Sequence, residues 1–275
     1  MSNVCILTDS SVQFTHPNFP GHERVHVIPF SFQTRMQPGD GSRPGGGLQR
    51  LIPPLPQEFI RFYTRLGREY DTVFVLTLSS LLKPITRIAI SAAIQYDNQA
   101  TIHVIDTQTT GIGLGLLVQA AASAALEGVP TAEIERRMRA YIPRIYMLFC
   151  IPELTYLAQS GYMDYSQALV GEMMGMLPIF VLEEGRLTPM EKVRTQRHLF
   201  DSFLEFINEF EAPAYIALAH GTNHKTIRNR PVRQYVHATY PNTPFSEHTI
   251  APPLAAIFGP QSTGLVVIDK LEESC

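Results

Sequence analysis

One segment constrains the fold of this chain more than any other: a short apolar strand pattern that ends in two serines and precedes a helix pattern. Residues 71–80 read DTVFVLTLSS, and a run this rich in valine, leucine, phenylalanine and threonine is typical of a buried parallel strand. From Ile85 onward apolar residues recur at helical spacing, and Pro84 just before them suits a first helical turn. The sequence therefore predicts a strand–turn–helix unit of an open α/β sheet.

Ser79 and Ser80 then lie where the carboxyl end of a strand meets the amino end of a helix. Open α/β sheets bind ligands at this place, where free backbone N–H groups favour an anion and hydroxyls add donors. Asp9 and Ser10 end the first predicted strand and are candidates to line the same crevice. For Ser79 and Ser80 the structural alternative is capping of the helix, and for Asp9 and Ser10 it is capping of the next element.

The order of elements predicts two α/β domains. The first half alternates strands and helices, which favours a mainly parallel sheet flanked by helices. The pattern changes after Tyr141, so we predict domains at 1–145 and 146–275, with a ligand cleft between them. The glycine- and proline-rich segment 36–47 is predicted to be a flexible loop. The predicted strands are 4–7, 25–30, 73–78, 101–105, 145–151, 178–182, 214–219 and 265–268, and the main helices are 57–66, 85–96, 113–126, 166–174, 196–210 and about 225–238.

Composition excludes several classes of protein. A net charge of -3 gives no basic footprint for nucleic acid, and the apolar runs are too short to span a bilayer. The N-terminus lacks the pattern of a secretory signal. Cys5, Cys150 and Cys275 are an odd, widely spaced set, which suits a reducing compartment. These features predict a cytoplasmic protein.

Three further patterns have a functional and a plain interpretation. Residues 111–115, GIGLG, follow a strand as a dinucleotide loop would, but their spacing favours close helix–sheet packing and therefore no cofactor. His220 and His224 could hold a metal, but no third ligand lies nearby, so we predict no metal site. The methionine-rich segment 173–182 suits contact with an acyl chain, although such a stripe is more often core.

Several short motifs, taken in order, resemble the DegV family of bacterial fatty-acid-binding proteins. The resemblance implies two α/β domains with one fatty acid buried between them. It also implies that the protein presents the acid to a separate fatty acid kinase and is not itself a catalyst, so no catalytic residue is predicted. The motifs are Leu7-Thr-Asp-Ser10, Ser79-Ser80-Leu-Leu, Val104-Ile-Asp-Thr107, Leu154-Thr-Tyr-Leu157, Pro178-Ile-Phe-Val-Leu-Glu-Glu-Gly185, Lys192-Val-Arg-Thr-Gln-Arg197 and Gly259-Pro260.

The chain departs from the family at positions that hold the ligand's head group. Leu51 stands where the family has a carboxylate-binding threonine, Tyr162 replaces an arginine, and Ile257 replaces a histidine. Ser79 and Ser80 are therefore the main remaining parts of the head-group site. Lys83 and Tyr162 are candidate substitutes, because an ammonium or a phenol can donate to a carboxylate. The losses predict a weaker preference for a free carboxylate.

Three functions follow from this reasoning. The first is a lipid-binding protein that holds a long-chain fatty acid or similar amphiphile. The second is a DegV-like scaffold without ligand that acts through protein partners. The third is an acyl hydrolase that uses Ser80 with His220, although the chain lacks the Gly-x-Ser-x-Gly nucleophile elbow.

Overall fold

The computed structural model describes residues 3–35, 48–97, 100–221 and 230–270. The α/β prediction is confirmed: helices flank a parallel sheet, and a second sheet follows it along the chain. The predicted loop at 36–47 lies outside the described residues, as does the start of the helix predicted near 225. The strands are β1 (Val4–Asp9), β2 (Val25–Ile28), β3 (Ser31–Arg35), β4 (Leu48–Ile52), β5 (Thr72–Thr77), β6 (Thr101–Asp106), β7 (Ile145–Cys150), β8 (Leu177–Glu183), β9 (Arg186–Val193), β10 (Pro213–His220), β11 (Phe245–Thr249) and β12 (Thr263–Asp269). The helices are α1 (Pro56–Leu66), α2 (Ile85–Gln95), α3 (Gly111–Leu126), α4 (Thr131–Tyr141), α5 (Leu154–Gln159), α6 (Tyr165–Met173), α7 (Gln196–Ile207), α8 (Arg230–Thr239) and α9 (Pro252–Phe258), with short 3-10 turns at His22–Arg24 and Ile142–Arg144.

The first sheet has four parallel strands in the order β2-β1-β5-β6. Every residue of the neighbouring strands β1 and β5 is buried, as expected for apolar strands covered on both faces. Helix α2 packs against β5 and β6, whereas α3 packs against β1 and β5. Because the strands are parallel, Asp9 at the end of β1 and Ser79 just after β5 lie at the same edge of the sheet.

The second sheet has six strands in the order β11-β10-β12-β7-β8-β9. β10 and β11 are parallel, and the other neighbours are antiparallel. β7 begins at Ile145, so the change of sheet falls next to the predicted boundary, although the division into domains 1–145 and 146–275 stays a prediction. One buried apolar core contains residues of both sheets, from Val4 in β1 to Ile268 in β12. A second core joins α7 and α8 to the second sheet.

Strands β3 and β4 form a separate antiparallel pair, and α9 packs against β4. The start of α3 lies very close to the chain that follows β1. A Cβ atom at Gly115 would stand 2.0 Å from the carbonyl oxygen of Gln13, and one at Gly113 would stand 2.3 Å from the hydroxyl of Thr109. Gly113 and Gly115 thus stand where the start of α3 packs closely against neighbouring segments, and a side chain there would clash.

Candidate functional site

The polar side chains at the end of β1 accept hydrogen bonds from backbone N–H groups at the same edge of the sheet. One carboxylate oxygen of Asp9 accepts a hydrogen bond from the Leu78 N–H at 2.7 Å, and the other accepts from the Ser11 N–H at 2.9 Å. The Ser10 hydroxyl accepts from the Phe30 N–H at 2.9 Å. Burial raises the pKa of Asp9, while the hydrogen bonds to its carboxylate oppose that rise. Asp9 and Ser10 therefore tie the ends of neighbouring strands together.

Ser79 joins the first sheet to the second. Its buried hydroxyl donates to the carbonyl oxygen of Gly185 at 2.6 Å and accepts from the Leu81 N–H at 3.2 Å. Gly185 lies in the turn between β8 and β9 with φ +77°, and a Cβ atom there would stand 2.6 Å from the Ser79 hydroxyl. At Ser79, the crevice above the parallel sheet is thus closed by this turn.

Ser80 remains more accessible than Ser79. It is half-buried, and its N–H donates to the Asp106 carboxylate at 3.1 Å. Neither serine caps the next helix, because α2 begins at Ile85 and Pro84, at its cap position, makes no side-chain cap. The alternative of helix capping by Ser79 or Ser80 is therefore wrong.

An apolar groove lies in the second unit of the chain, the part that contains the six-stranded sheet. Strands β8 and β9 form one side, α5 and α6 form the other, and the cavity volume is about 660 Å³. Ligand pockets commonly measure roughly 300–1,000 Å³, so the groove is large enough for a lipid tail. We call this cavity the α6 groove, after the helix that forms part of its wall. Its described lining residues are Leu154, Leu157, Tyr162, Met163, Ser166, Gln167, Val170, Gly171, Met174, Met176, Pro178, Phe180, Leu187, Pro189, Met190, Glu191 and Lys192.

Helix α6 leaves apolar side chains in contact with solvent. Val170 is 58% exposed and Met174 is 61% exposed, and both line the α6 groove. Within α6, Ala168 alone is buried. The methionine-rich stripe predicted either as core or as an acyl contact therefore forms a groove wall at Met174 and Met176. An open apolar wall of this kind is typical of a binding surface, because packing within the chain has not covered it.

Tyr162 connects the α6 groove to the edge of the first sheet. Its ring lines the groove, and its hydroxyl donates to the carbonyl oxygen of Leu82. Lys83 follows immediately, and its N–H donates to the carbonyl oxygen of Ser79 at 3.1 Å. The lining residues all belong to the second unit, so Tyr162 is the point at which the groove contacts the predicted head-group residues.

Lys83 is a buried cation that has no counter-ion among the described residues. It is 8% exposed, and in the part of the chain that the structure describes its ammonium forms no salt bridge. Burial lowers the pKa of Lys83, and repulsion from the Arg50 guanidinium lowers it further. A buried charge is normally paired, so this position is suited to an anion supplied from outside the chain.

The structure also accounts for the departures at Leu51 and Ile257. Both side chains are fully buried in the core that the two units share, on β4 and α9, which pack against each other. Apolar contact thus fills the positions where a threonine and a histidine were expected. Of the three departures, only the tyrosine at 162 faces the groove.

Other candidate sites gain no support. Within residues 3–35, 48–97, 100–221 and 230–270, no three histidine, cysteine or acidic side chains are grouped to hold a metal, and His224 lies outside this part. The described helices include none with the length and apolar character needed to cross a bilayer. Burial raises the pKa of Cys5 and of Cys150 to about 12, so neither thiol is activated.

Sequence comparison assigns residues 45–270 to a family described as "Uncharacterised protein, DegV family". Among curated relatives, a DegV domain-containing protein of Staphylococcus aureus (strain COL) is 28% identical over 221 residues. That alignment covers 79% of this chain and 77% of the relative.

Solved structures of low identity share the fold. A fatty-acid-binding DegV family protein of Thermus thermophilus superposes with a TM-score of 0.80 at 20% identity, over 98% of this chain and 100% of the other. The Fatty Acid Kinase (Fak) B3 protein of Streptococcus pneumoniae, crystallised with linoleic acid, gives a TM-score of 0.80 at 17% identity, again over 98% and 100%. At this identity the likeness establishes a common fold.

Proposed function

The chain belongs to the DegV family, and we propose that it binds a long-chain fatty acid or a similar amphiphile in the α6 groove. The observation that carries the proposal is the groove itself, an open apolar cavity of about 660 Å³ whose walls include solvent-exposed Val170 and Met174. An acyl chain would cover these walls, and each methylene removed from water contributes about 0.8 kcal/mol. DegV proteins of known structure that bind fatty acids share the fold.

The head group would lie at the Tyr162 end of the groove. Tyr162 lines the groove and contacts Leu82, and the next residue is Lys83, which has no salt-bridge partner in the described part of the chain. A carboxylate there would supply the missing counter-charge, and the half-buried Ser80 hydroxyl is the remaining nearby donor. Asp9, Ser10 and Ser79 would act indirectly, because their side chains hold the edge of the sheet in place.

The protein would act as a carrier and not as a catalyst. It would work in the cytoplasm, without a cofactor, and present its lipid to a partner enzyme; a fatty acid kinase is the candidate, given the likeness to the Fak B3 protein. Its two units would correspond to domains 1–145 and 146–275, with the head group near their boundary. Turnover of acyl esters by the purified protein would instead support the hydrolase alternative.

Two measurements test this function. Lipids extracted from the purified protein should give, by mass spectrometry, one fatty acid or related amphiphile in near-stoichiometric amount. The delipidated protein should then bind oleic acid and, less tightly, oleyl alcohol, and Lys83→Met should reduce the difference between the two. Absence of any lipid together with no binding of either compound would contradict the proposal and favour the scaffold alternative.

A further inference from the structure

The lining of the α6 groove is unusually rich in methionine. Four of the nine methionines of the chain line it. They come from different segments, so thioethers are distributed around the cavity. Met163 precedes α6, Met174 follows it, Met176 precedes β8, and Met190 lies on β9.

Few of the other lining residues are β-branched. Val170 is the one β-branched residue among the described lining residues. Methionine is unbranched, with three rotatable bonds and a polarizable sulfur, so it can refit to differently shaped partners at low cost. Met174 and Met190 are also 61% and 48% exposed, so no neighbouring side chain fixes their conformation as a core would.

The core methionines provide the contrast. Met138 and Met147 are almost completely buried, and the sulfur of Met147 accepts a hydrogen bond from the Thr109 hydroxyl at 3.1 Å. These side chains are held by their surroundings, whereas Met174 and Met190 of the groove are exposed, and Met163 and Met176 are only half-buried. Methionine side chains are therefore fixed in the core, whereas exposed methionine side chains of the groove can change conformation.

We propose that Met163, Met174, Met176 and Met190 make the α6 groove tolerant of acyl-chain shape, so that it takes saturated, cis-unsaturated and methyl-branched fatty acids alike. The inference rests on the proposed function and specifies its substrate class. A rigid apolar pocket discriminates by roughly 10- to 200-fold for a single methylene. A groove walled by methionines should instead adjust its walls to each chain.

The test is the spread of dissociation constants for stearic, oleic and isostearic acid, measured on the delipidated protein by one displacement assay. The wild-type protein should bind all three within about fivefold, well below the discrimination of a rigid pocket. Replacing all four groove methionines by leucine should widen the spread to tenfold or more, because leucine fills space with fewer conformations. Met138→Leu, a core substitution of the same kind, should leave the spread unchanged.

Met174→Leu/Met190→Leu serves as a second variant, because both side chains are exposed and their replacement does not disturb the core. It should widen the spread in the same direction. A wild-type spread above about fivefold, or variants with the wild-type spread, would overturn the inference while leaving lipid binding intact. No binding of any of the three acids would instead overturn the proposed function, and this inference with it.

Discussion

Two regions of the molecule carry the side chains that a ligand could use, and they are built in opposite ways. At the carboxyl edge of the parallel sheet, the side chains of Asp9, Ser10 and Ser79 are all hydrogen-bonded to backbone groups of the chain. In the α6 groove, apolar side chains such as Val170 and Met174 remain exposed. These three polar side chains of the edge have partners within the chain, whereas the apolar side chains of the groove are left uncovered.

This difference shows how to separate a structural residue from a ligand-binding one. A polar side chain at a strand end is a natural candidate for ligand binding when only the sequence is known. In the folded chain, however, its hydrogen bonds can all be made to groups of the protein itself. An incompletely packed apolar surface indicates a place for a ligand from outside the chain. So does a buried charge such as Lys83, which forms no salt bridge with any residue that the structure describes. Substitutions in the two regions should therefore affect different quantities.

The largest effect on stability is expected at Asp9. Asp9→Ala removes the acceptor of two backbone N–H groups and leaves both buried, which should lower the free energy of unfolding by about 2–5 kcal/mol. Urea denaturation measures this loss. Asp9→Asn keeps one oxygen acceptor and should lose less. A protein of unchanged stability that no longer binds lipid would show that Asp9 belongs to the ligand site instead.

Substitutions of the adjacent residues Ser79 and Ser80 should affect different quantities, stability for the first and ligand affinity for the second. Ser79→Ala leaves the buried Gly185 carbonyl without its donor, and we expect a loss of about 1–2 kcal/mol in stability with little change in the affinity of the folded protein. Ser80→Ala should keep stability but weaken binding by roughly 1.5–3 kcal/mol if the head group is charged. Thermal melts of both variants measure the change in stability, and fatty-acid titrations measure the change in affinity. A loss of affinity in Ser79→Ala and a loss of stability in Ser80→Ala would contradict the assignment of Ser79 to the fold and Ser80 to the ligand.

A smaller, pH-dependent effect is expected at Lys83. The folded chain releases the Lys83 proton at lower pH than the unfolded chain does, since burial lowers the pKa from its ordinary value of 10.5. Stability of the delipidated protein should therefore rise with pH between the lowered pKa and about 10.5, and affinity for a carboxylate should fall over the same range. Lys83→Met should remove both trends. Identical pH profiles for the variant and the wild type would count against a role for this ammonium.

The sequence predicted the regular elements better than the irregular ones. β1, β5 and α2 were found within two residues of their predicted limits, because continuous apolar runs and helical spacing are local signals. β3, β4, β9, β11 and α9 were not predicted. β9 is mostly exposed and contains Pro189, so it lacks the alternating pattern of a half-buried strand. α9 is a seven-residue helix that starts with two prolines and is too short for a clear period.

The candidate site was only partly predictable. Lys83 and Tyr162 were identified from departures in family motifs, and Met174 and Met176 from a methionine-rich stripe. The use of the Ser79 hydroxyl by Gly185 depends on residues 106 positions apart, and no local pattern reports such a contact. Met163 and Met190 lie in separate segments, so their place in one groove became visible only in three dimensions.

The most direct test of the α6 groove compares two adjacent residues of one helix. Val170 lines the groove and is 58% exposed, whereas Leu169 is 46% exposed and is not among the groove's lining residues. Val170→Asp and Leu169→Asp place the same charge on neighbouring surface positions, so stability should change little and similarly in both. In titrations of the delipidated variants with oleic acid, Val170→Asp should weaken binding at least tenfold, about 1.4 kcal/mol, while Leu169→Asp stays near the wild-type value. Equal affinity of both variants and the wild type would contradict the claim that the acyl chain lies in this groove.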